Sequence, residues 1–137
     1  MSEASGGLHM LDTNVIIDAA RGEGVARRRL SAFSRADVAI SALTEAELLF
    51  GIAKREVGTR YADATVSLMS WLRVLPWDSQ AARAYAVLRL GQQALGKPLG
   101  RVDLLIAAHA LAMDAVLVSR DRAFIQVPSL KLEAWPV

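Results

Sequence analysis

The chain contains no cysteine, which excludes a disulfide framework and any thiolate metal site. A metal could find only oxygen or imidazole ligands, and imidazole is scarce, with two histidines, His9 and His109, in 137 residues. No apolar run is long enough to span a bilayer: the longest, Leu104 to Met113, falls well short of the roughly 20 residues required and carries His109. The first nine residues, MSEASGGLH, lack the basic start and long apolar centre of a secretory signal. Residues 1–9 therefore read as a disordered extension or vector-derived remnant, and the chain as a cytoplasmic protein without a membrane segment.

What is present is a dense apolar content of 53% over a length that suits one domain, expected over residues 10–137. The net charge is only +2, but 13 of the 16 basic residues are arginine, the side chain suited to bidentate phosphate contacts. On composition alone an Arg-rich solvated surface explains that bias better than nucleic-acid binding does.

Apolar periodicity divides the chain into β–α units. Leu8 to Leu11 read as a strand ending at Asp12, followed by helical spacing of Val15, Ile16 and Ala19. Residues 24–35 are helix-compatible, 37–41 (DVAIS) read as a second strand, and 44–55 (TEAELLFGIAKR) and 61–72 as helices. A third strand follows at 73–77, Asp78 caps a long helix running to about Leu95, and LGKPLG (95–100) breaks the chain. Asp103 opens a buried helix, 115–119 (AVLVS) form a fourth strand, and 130–135 (LKLEAW) suit a fifth at the edge. Strands separated by helices predict a three-layer α/β/α sandwich around a mostly parallel sheet of four to five strands, because parallel neighbours need crossover connections. Ligands of such sheets bind along the carboxyl edge.

Four acids fall on that edge: Asp12, Glu47, Asp103 and Asp121. Asp37 and Asp114 precede strands and belong to turns at the other edge. Each of the four also has a purely structural reading. Asp12 can cap the helix after it, Thr44 and Glu47 match the capping box T-x-x-E, Asp103 suits the positive end of a helix, and Asp121 can hold a turn. Their coincidence is harder to explain structurally. Like charges about 4 Å apart repel by about 4 kcal/mol at an effective dielectric near 20, more than caps and helix dipoles return. A divalent cation removes that repulsion, and an all-oxygen donor set favours Mg²⁺ or Mn²⁺, one ion or two.

Without these acids, sixteen basic groups face ten acidic ones. An acidic basin within a basic rim suits a phosphodiester cleaved by metal-activated water, leaving a 5′-phosphate. A metal-free ribonuclease would instead need a general acid and base, usually histidines. Here His9 lies in the expected tail, and His109 is about 240° round its helix from Asp103, so it reads as a packing or capping residue.

The phrases MLDTNVIID, ISALTEAELLFGIAK, PWDSQAARAYAVLR, LGKPLGRVDLLIAAHALAMDAVLVSRDRAF and LKLEAW, spread from Met10 to about Trp135, resemble the PIN-domain ribonucleases, and among them the VapC-type toxins of bacterial toxin–antitoxin systems. The resemblance implies a PIN-like fold and a metal-dependent endoribonuclease that inhibits translation and growth. Asp12, Glu47, Asp103 and Asp121 match the family's acidic quartet, with Asp12, Asp103 and Asp121 as direct metal ligands and Glu47 binding directly or through water. Thr13, Asn14 and Ser119 match polar positions that line or brace such sites. Asp78 also matches a family position, although it reads here as a helix cap, and Asp18 reads as a solvated helix position. The resemblance further implies an RNA substrate, a homodimer and a cognate VapB-like antitoxin whose tail inserts an arginine among the acids.

Two features depart from the pattern: the stretch before Met10, and Arg120, which stands where many relatives carry a small polar residue. Arg101, Arg120 and Arg122 are candidate contacts to RNA phosphate, with solvated arginines as the alternative. The Arg-rich stretch RGEGVARRRL reads as a solvated helix face, with a substrate or antitoxin contact as the alternative. Two rival functions remain open: a PIN nuclease of RNA processing, which a neighbouring antitoxin gene would argue against, and a non-catalytic PIN-fold binding module, from which an intact quartet argues away.

Overall fold

The computed structural model describes residues 7–22, 24–54, 59–96 and 99–136. Among them five short strands form one sheet: β1 (His9–Leu11), β2 (Val38–Ser41), β3 (Arg73–Leu75), β4 (Val116–Val118) and β5 (Lys131–Glu133). Their spatial order is β3-β2-β1-β4-β5 and every pairing is parallel. Six α-helices connect and cover them: α1 (Thr13–Arg21), α2 (Ala26–Ser31), α3 (Ala42–Ala53), α4 (Arg60–Trp71), α5 (Ser79–Leu95) and α6 (Arg101–Ala112). The expected α/β architecture is the one that forms, with the fifth strand at the edge.

Each strand serves two cores because successive residues face opposite sides of a sheet. Leu11, Val38, Ile40 and Val118 join the side covered by α1, α2 and α4, while Met10 and Leu117 join the side covered by α5 and α6. The central strand β1 and its neighbour β2 are buried along their whole length. Met10 and Leu11 have no exposed surface, so truncating either to alanine is expected to cost about 2–5 kcal/mol.

The helices start and stop for local reasons. Asp12, Ser41, Thr59 and Asp78 each accept a backbone N–H at the start of α1, α3, α4 and α5. Gly22 and Gly96 close α1 and α5 at φ 70° and 68°, the left-handed region where glycine carries no Cβ penalty. Arg27 adds to the first of these caps, donating from Nε to the Ala19 carbonyl at 3.0 Å and from Nη2 to the Ala20 carbonyl at 3.2 Å. That arginine of RGEGVARRRL ties α2 to the end of α1 and is not simply part of a solvated face.

Three boundaries differ from expectation. Before Met10, His9 belongs to β1, is 6% exposed and meets the Phe33 ring at a tilt with 4.7 Å between centroids, so the expected extension does not hold at His9, which is no tail residue. Residues 1–6 of that extension lie outside the described residues, as do Arg55 in the expected helix 44–55 and Lys97 and Pro98 in the LGKPLG break. Helix α3 begins at Ala42 with Ser41 as its cap, which places Thr44 inside the helix with a buried, unpartnered hydroxyl, so the capping box does not form. Gly100, not Asp103, is the N-cap of α6, and Asp103 lies in its first turn.

The strand order fixes where the site can lie. From β1 the chain moves outward to β2 and β3, then crosses back to β4 on the other side of β1, so the direction of winding reverses between β1 and β4. A crevice opens at such a reversal, outside the carboxyl ends of the two strands.

Candidate active site

Asp12 leaves the end of β1 at that crevice, 9% exposed. Its backbone N–H donates to the Val118 carbonyl of β4 at 2.9 Å, and its carbonyl accepts from Val15 and Ile16 as α1 begins. The carboxylate is held on both oxygens. Thr13 N–H donates to Oδ1 at 2.9 Å, while Ser119 Oγ, at 2.8 Å, and Asn14 Nδ2, at 3.4 Å, donate to Oδ2.

Ser119 joins the two strand ends. Its buried hydroxyl donates to Asp12, 107 residues away, and accepts from Asn14 Nδ2 at 3.2 Å and from the Asp121 N–H at 3.0 Å. One donor and two acceptors are all that a hydroxyl offers, so none of its capacity is left over. Asn14 is equally committed, its Oδ1 accepting from the Arg120 N–H at 3.1 Å. Thr13 links outward: its hydroxyl donates to Glu47 Oε1 at 2.9 Å, bringing the exposed carboxylate of α3 to the rim. Thr13, Asn14 and Ser119 thus form one hydrogen-bonded network around Asp12.

The other acids are coupled to Asp12 through their charges. Asp121 follows Ser119 by two residues, is exposed, and accepts the Ala123 N–H at 2.9 Å. Asp103 enters from α6, partly exposed. The four carboxylates lie in one electrostatic field. Burial raises the Asp12 carboxyl above the usual carboxylate range; hydrogen bonds from Ser119 and Thr13 pull it back, and Glu47 and Asp121 push it higher. Burial also raises Asp103, followed by the charges of Asp121, Asp12 and Glu47. The side chains do not form a finished cage: among the described residues no three carboxylate or imidazole groups stand close enough to hold a metal as they are. The expectation of tightly converging acids is corrected to an open anionic basin. That arrangement still suits Mg²⁺ or Mn²⁺, since Mg²⁺ keeps several waters and is usually held by one or two carboxylates, not by an all-protein cage. The hard oxygen donors, and the raising of both Asp12 and Asp103 by neighbouring carboxylates, fit such an ion.

His109 takes no part. It is 1% exposed, its Nδ1 is 2.8 Å from Ser41 Oγ, and burial lowers its pKa against the weaker upward pull of Asp78, so the ring is neutral at pH 7. Asp78 caps α5, as the sequence indicated.

One reading is overturned. Asp18 is not solvated: it is 3% exposed and receives two hydrogen bonds from one guanidinium, Arg120 Nε to Oδ2 at 2.6 Å and Nη2 to Oδ1 at 3.0 Å. The Arg120 guanidinium is therefore paired with Asp18 through Nε and Nη2, while the side chain stays 38% exposed. Asp18 follows Asn14 by four residues and so lies on the same face of α1, but that spacing does not by itself pair it with Arg120. Arg101 and Arg122 are both exposed and able to meet a polyanion.

The model of the PIN domain family matches residues 9–130. The chain is 32% identical over 133 residues to ribonuclease VapC2 of Haemophilus influenzae, covering 93% of this chain and 97% of that protein. It is 31% identical over 127 residues to the tRNA(fMet)-specific endonuclease VapC of Salmonella typhimurium, covering 92% and 96%. Its fold is similar to that in the crystal structure of VapBC2 from Rickettsia felis bound to a DNA fragment from its promoter, with a TM-score of 0.85 at 29% identity, covering 94% of this chain and 99% of that one.

Proposed function

Because the chain belongs to the PIN-domain family, and within it to the VapC-type ribonuclease toxins of toxin–antitoxin systems, we propose that it cleaves RNA in a reaction that requires Mg²⁺ or Mn²⁺ held in the basin of Asp12, Glu47, Asp103 and Asp121. The observation that carries this reading is Asp12, a buried carboxylate fixed on both oxygens and raised further by Glu47 and Asp121.

Asp12, Asp103 and Asp121 would hold the ion, with Glu47 binding directly or through water. When bound, the ion supplies Lewis acidity to the attacking water and to the phosphodiester. The protein contributes orientation. Ser119, Asn14 and Thr13 lock Asp12, the Ser119 hydroxyl fixes the backbone at Asp121, and Thr13 restrains Glu47. Arg101 and Arg122 offer exposed guanidinium groups to flanking phosphates. With His109 neutral and enclosed, no imidazole in the basin is available to activate a ribose 2′-hydroxyl, so the expected product is a 5′-phosphate and not a cyclic phosphate.

An anionic basin of this kind also accepts a guanidinium, and a VapB-like antitoxin presenting an arginine would neutralise the same carboxylates. Exposed apolar side chains, Leu49 and Phe50 on α3 and Val87 and Leu90 on α5, provide surface for the antitoxin and for a homodimer.

The test is cleavage of an RNA panel, including tRNAs, with Mg²⁺, with Mn²⁺ and in EDTA, alongside Asp12→Asn and Asp103→Asn proteins verified as folded. Metal-dependent cleavage lost in both variants is expected. Undiminished cleavage in EDTA would refute the metal, and RNA binding without cleavage in any metal would make the chain a binding module.

A further inference from the structure

The segment Ser119–Arg120–Asp121 leaves β4 and carries one of the four acids, and it is held to α1 and to Asp12, the N-cap of that helix. Ser119 Oγ bonds to Asp12, the Arg120 N–H donates to Asn14, and the Arg120 guanidinium grips Asp18 with two bonds. Asn14 and Asp18, one helical turn apart, bind the backbone and the side chain of the same residue. Asp12 immediately precedes that helix, and Asp121 immediately follows that arginine. The direction of the Asp121 carboxylate depends on the backbone at residues 120 and 121, so a fixed Arg120 fixes Asp121 relative to Asp12.

The ion pair has the form expected of a device for geometry. Asp18 is 3% exposed, and its desolvated carboxylate needs the partner; the guanidinium is planar, so two parallel bonds set its orientation as well as its distance. An arginine next to an acidic basin would otherwise be drawn into it, where it would neutralise the carboxylates; the bond to Asp18 also holds that cation away.

We infer that Asp18 and Arg120 are positioning residues: their bidentate bond clamps the β4 exit to α1 and sets Asp121 in register with Asp12 for metal binding. The metal-binding part of this inference rests on the function proposed above; the clamp itself does not.

Two measurements on Arg120→Gln, Arg120→Lys and Asp18→Asn proteins test it, both well below the unfolding midpoint. The first is amide hydrogen exchange of the metal-free protein. The Arg120 and Asp121 N–H groups should exchange about tenfold faster or more in Arg120→Gln and Asp18→Asn, while those of β1 keep their protection. Lysine, a point charge on a flexible stem, should restore protection only in part. Unchanged exchange at residues 120 and 121, or an equal acceleration throughout the sheet, overturns the clamp.

The second is the Mn²⁺ dependence of RNA cleavage. Half-saturating Mn²⁺ should rise about tenfold or more in Arg120→Gln and Asp18→Asn, within the 10–100-fold range typical of residues that orient metal ligands, with KM for RNA nearly unchanged. A raised KM with unaltered metal dependence, in Arg120→Gln but not in Asp18→Asn, would make Arg120 an RNA contact instead. If wild-type cleavage needs no metal, the proposed function fails, while hydrogen exchange still decides whether the clamp exists.

Discussion

Replacing Asp103 with asparagine should make the metal-free protein more stable and the metal-loaded protein less stable than wild type. Asp103 is the better probe than Asp12 because Asp12 accepts three hydrogen bonds that an amide cannot all accept, whereas Asp103 accepts none among the described residues. Burial and then the charges of Asp121, Asp12 and Glu47 raise the Asp103 carboxyl, so its ionised form is disfavoured in the fold. A unit-charge pair at 4 Å contributes about 1 kcal/mol in water and about 4 kcal/mol near a protein surface. Asp103 is partly exposed and solvent screens its neighbours, so about 1 kcal/mol in total is the reasonable expectation. For a chain of this length that corresponds to a rise of about 3–4 °C in Tm.

The dependence on pH has a definite sign. A carboxyl whose folded pKa lies above its unfolded value binds more protons in the fold, so its contribution is complete below the unfolded value of 3.8 and is lost as pH rises through the raised folded value. The advantage of Asp103→Asn over wild type should accordingly be small at pH 3.5, grow with rising pH and level off near neutrality. Metal reverses the order. Mn²⁺ at about a hundred times its dissociation constant would stabilise wild type by about 2.7 kcal/mol, and the variant by much less. Urea unfolding at several pH values, in EDTA and in Mn²⁺, reads all of this. A variant less stable than wild type in EDTA at pH 8, or equal Mn²⁺ stabilisation of both proteins, would refute the electrostatic account.

Ser119→Ala removes a hydroxyl that satisfies Asp12, Asn14 and the Asp121 N–H together, so it should cost about 1–3 kcal/mol in urea unfolding and depress metal-dependent cleavage. Thr13→Val keeps the backbone bond to Asp12 but releases Glu47; half-saturating Mn²⁺ should rise several-fold with little loss of stability, and an unchanged metal titration would remove Glu47 from the site. His109 has a folded pKa lowered by burial, so its share of stability is present above its unfolded value near 6.5 and is lost as pH falls. His109→Gln should flatten the fall in stability below about pH 6.5 and leave the pH profile of cleavage unmoved; a shifted profile would return the imidazole to the chemistry.

The sequence carried the strand and helix order because its signals are local. Apolar runs of strand length, helical spacing and the caps at Asp12 and Asp78 need no knowledge of distant residues. Alternation of strand and helix then required crossovers, and crossovers required a parallel sheet whose carboxyl edge collects Asp12, Glu47, Asp103 and Asp121. Local rules failed where two signals competed: Thr44 and Glu47 spell a capping box, yet Ser41 is one turn closer to the strand end and takes the cap, leaving Glu47 free to meet Thr13. The beginning of β1 failed for a related reason. His9 reads as polar tail, but its ring is enclosed against Phe33, a residue remote in sequence.

Only the tertiary structure decided who pairs with whom. Asp18 and Arg120 each look like surface residues when read alone, and their bond spans 102 positions, so no local pattern predicts it. The same holds for Ser119, whose hydroxyl reaches Asp12 only because β1 and β4 lie side by side where the winding reverses. Residue types and their spacing determined that a basin of carboxylates would form at one edge of the sheet. The packing of α1 against the exit of β4 determined its shape, because the direction of a side chain depends on contacts between segments that the chain order keeps apart.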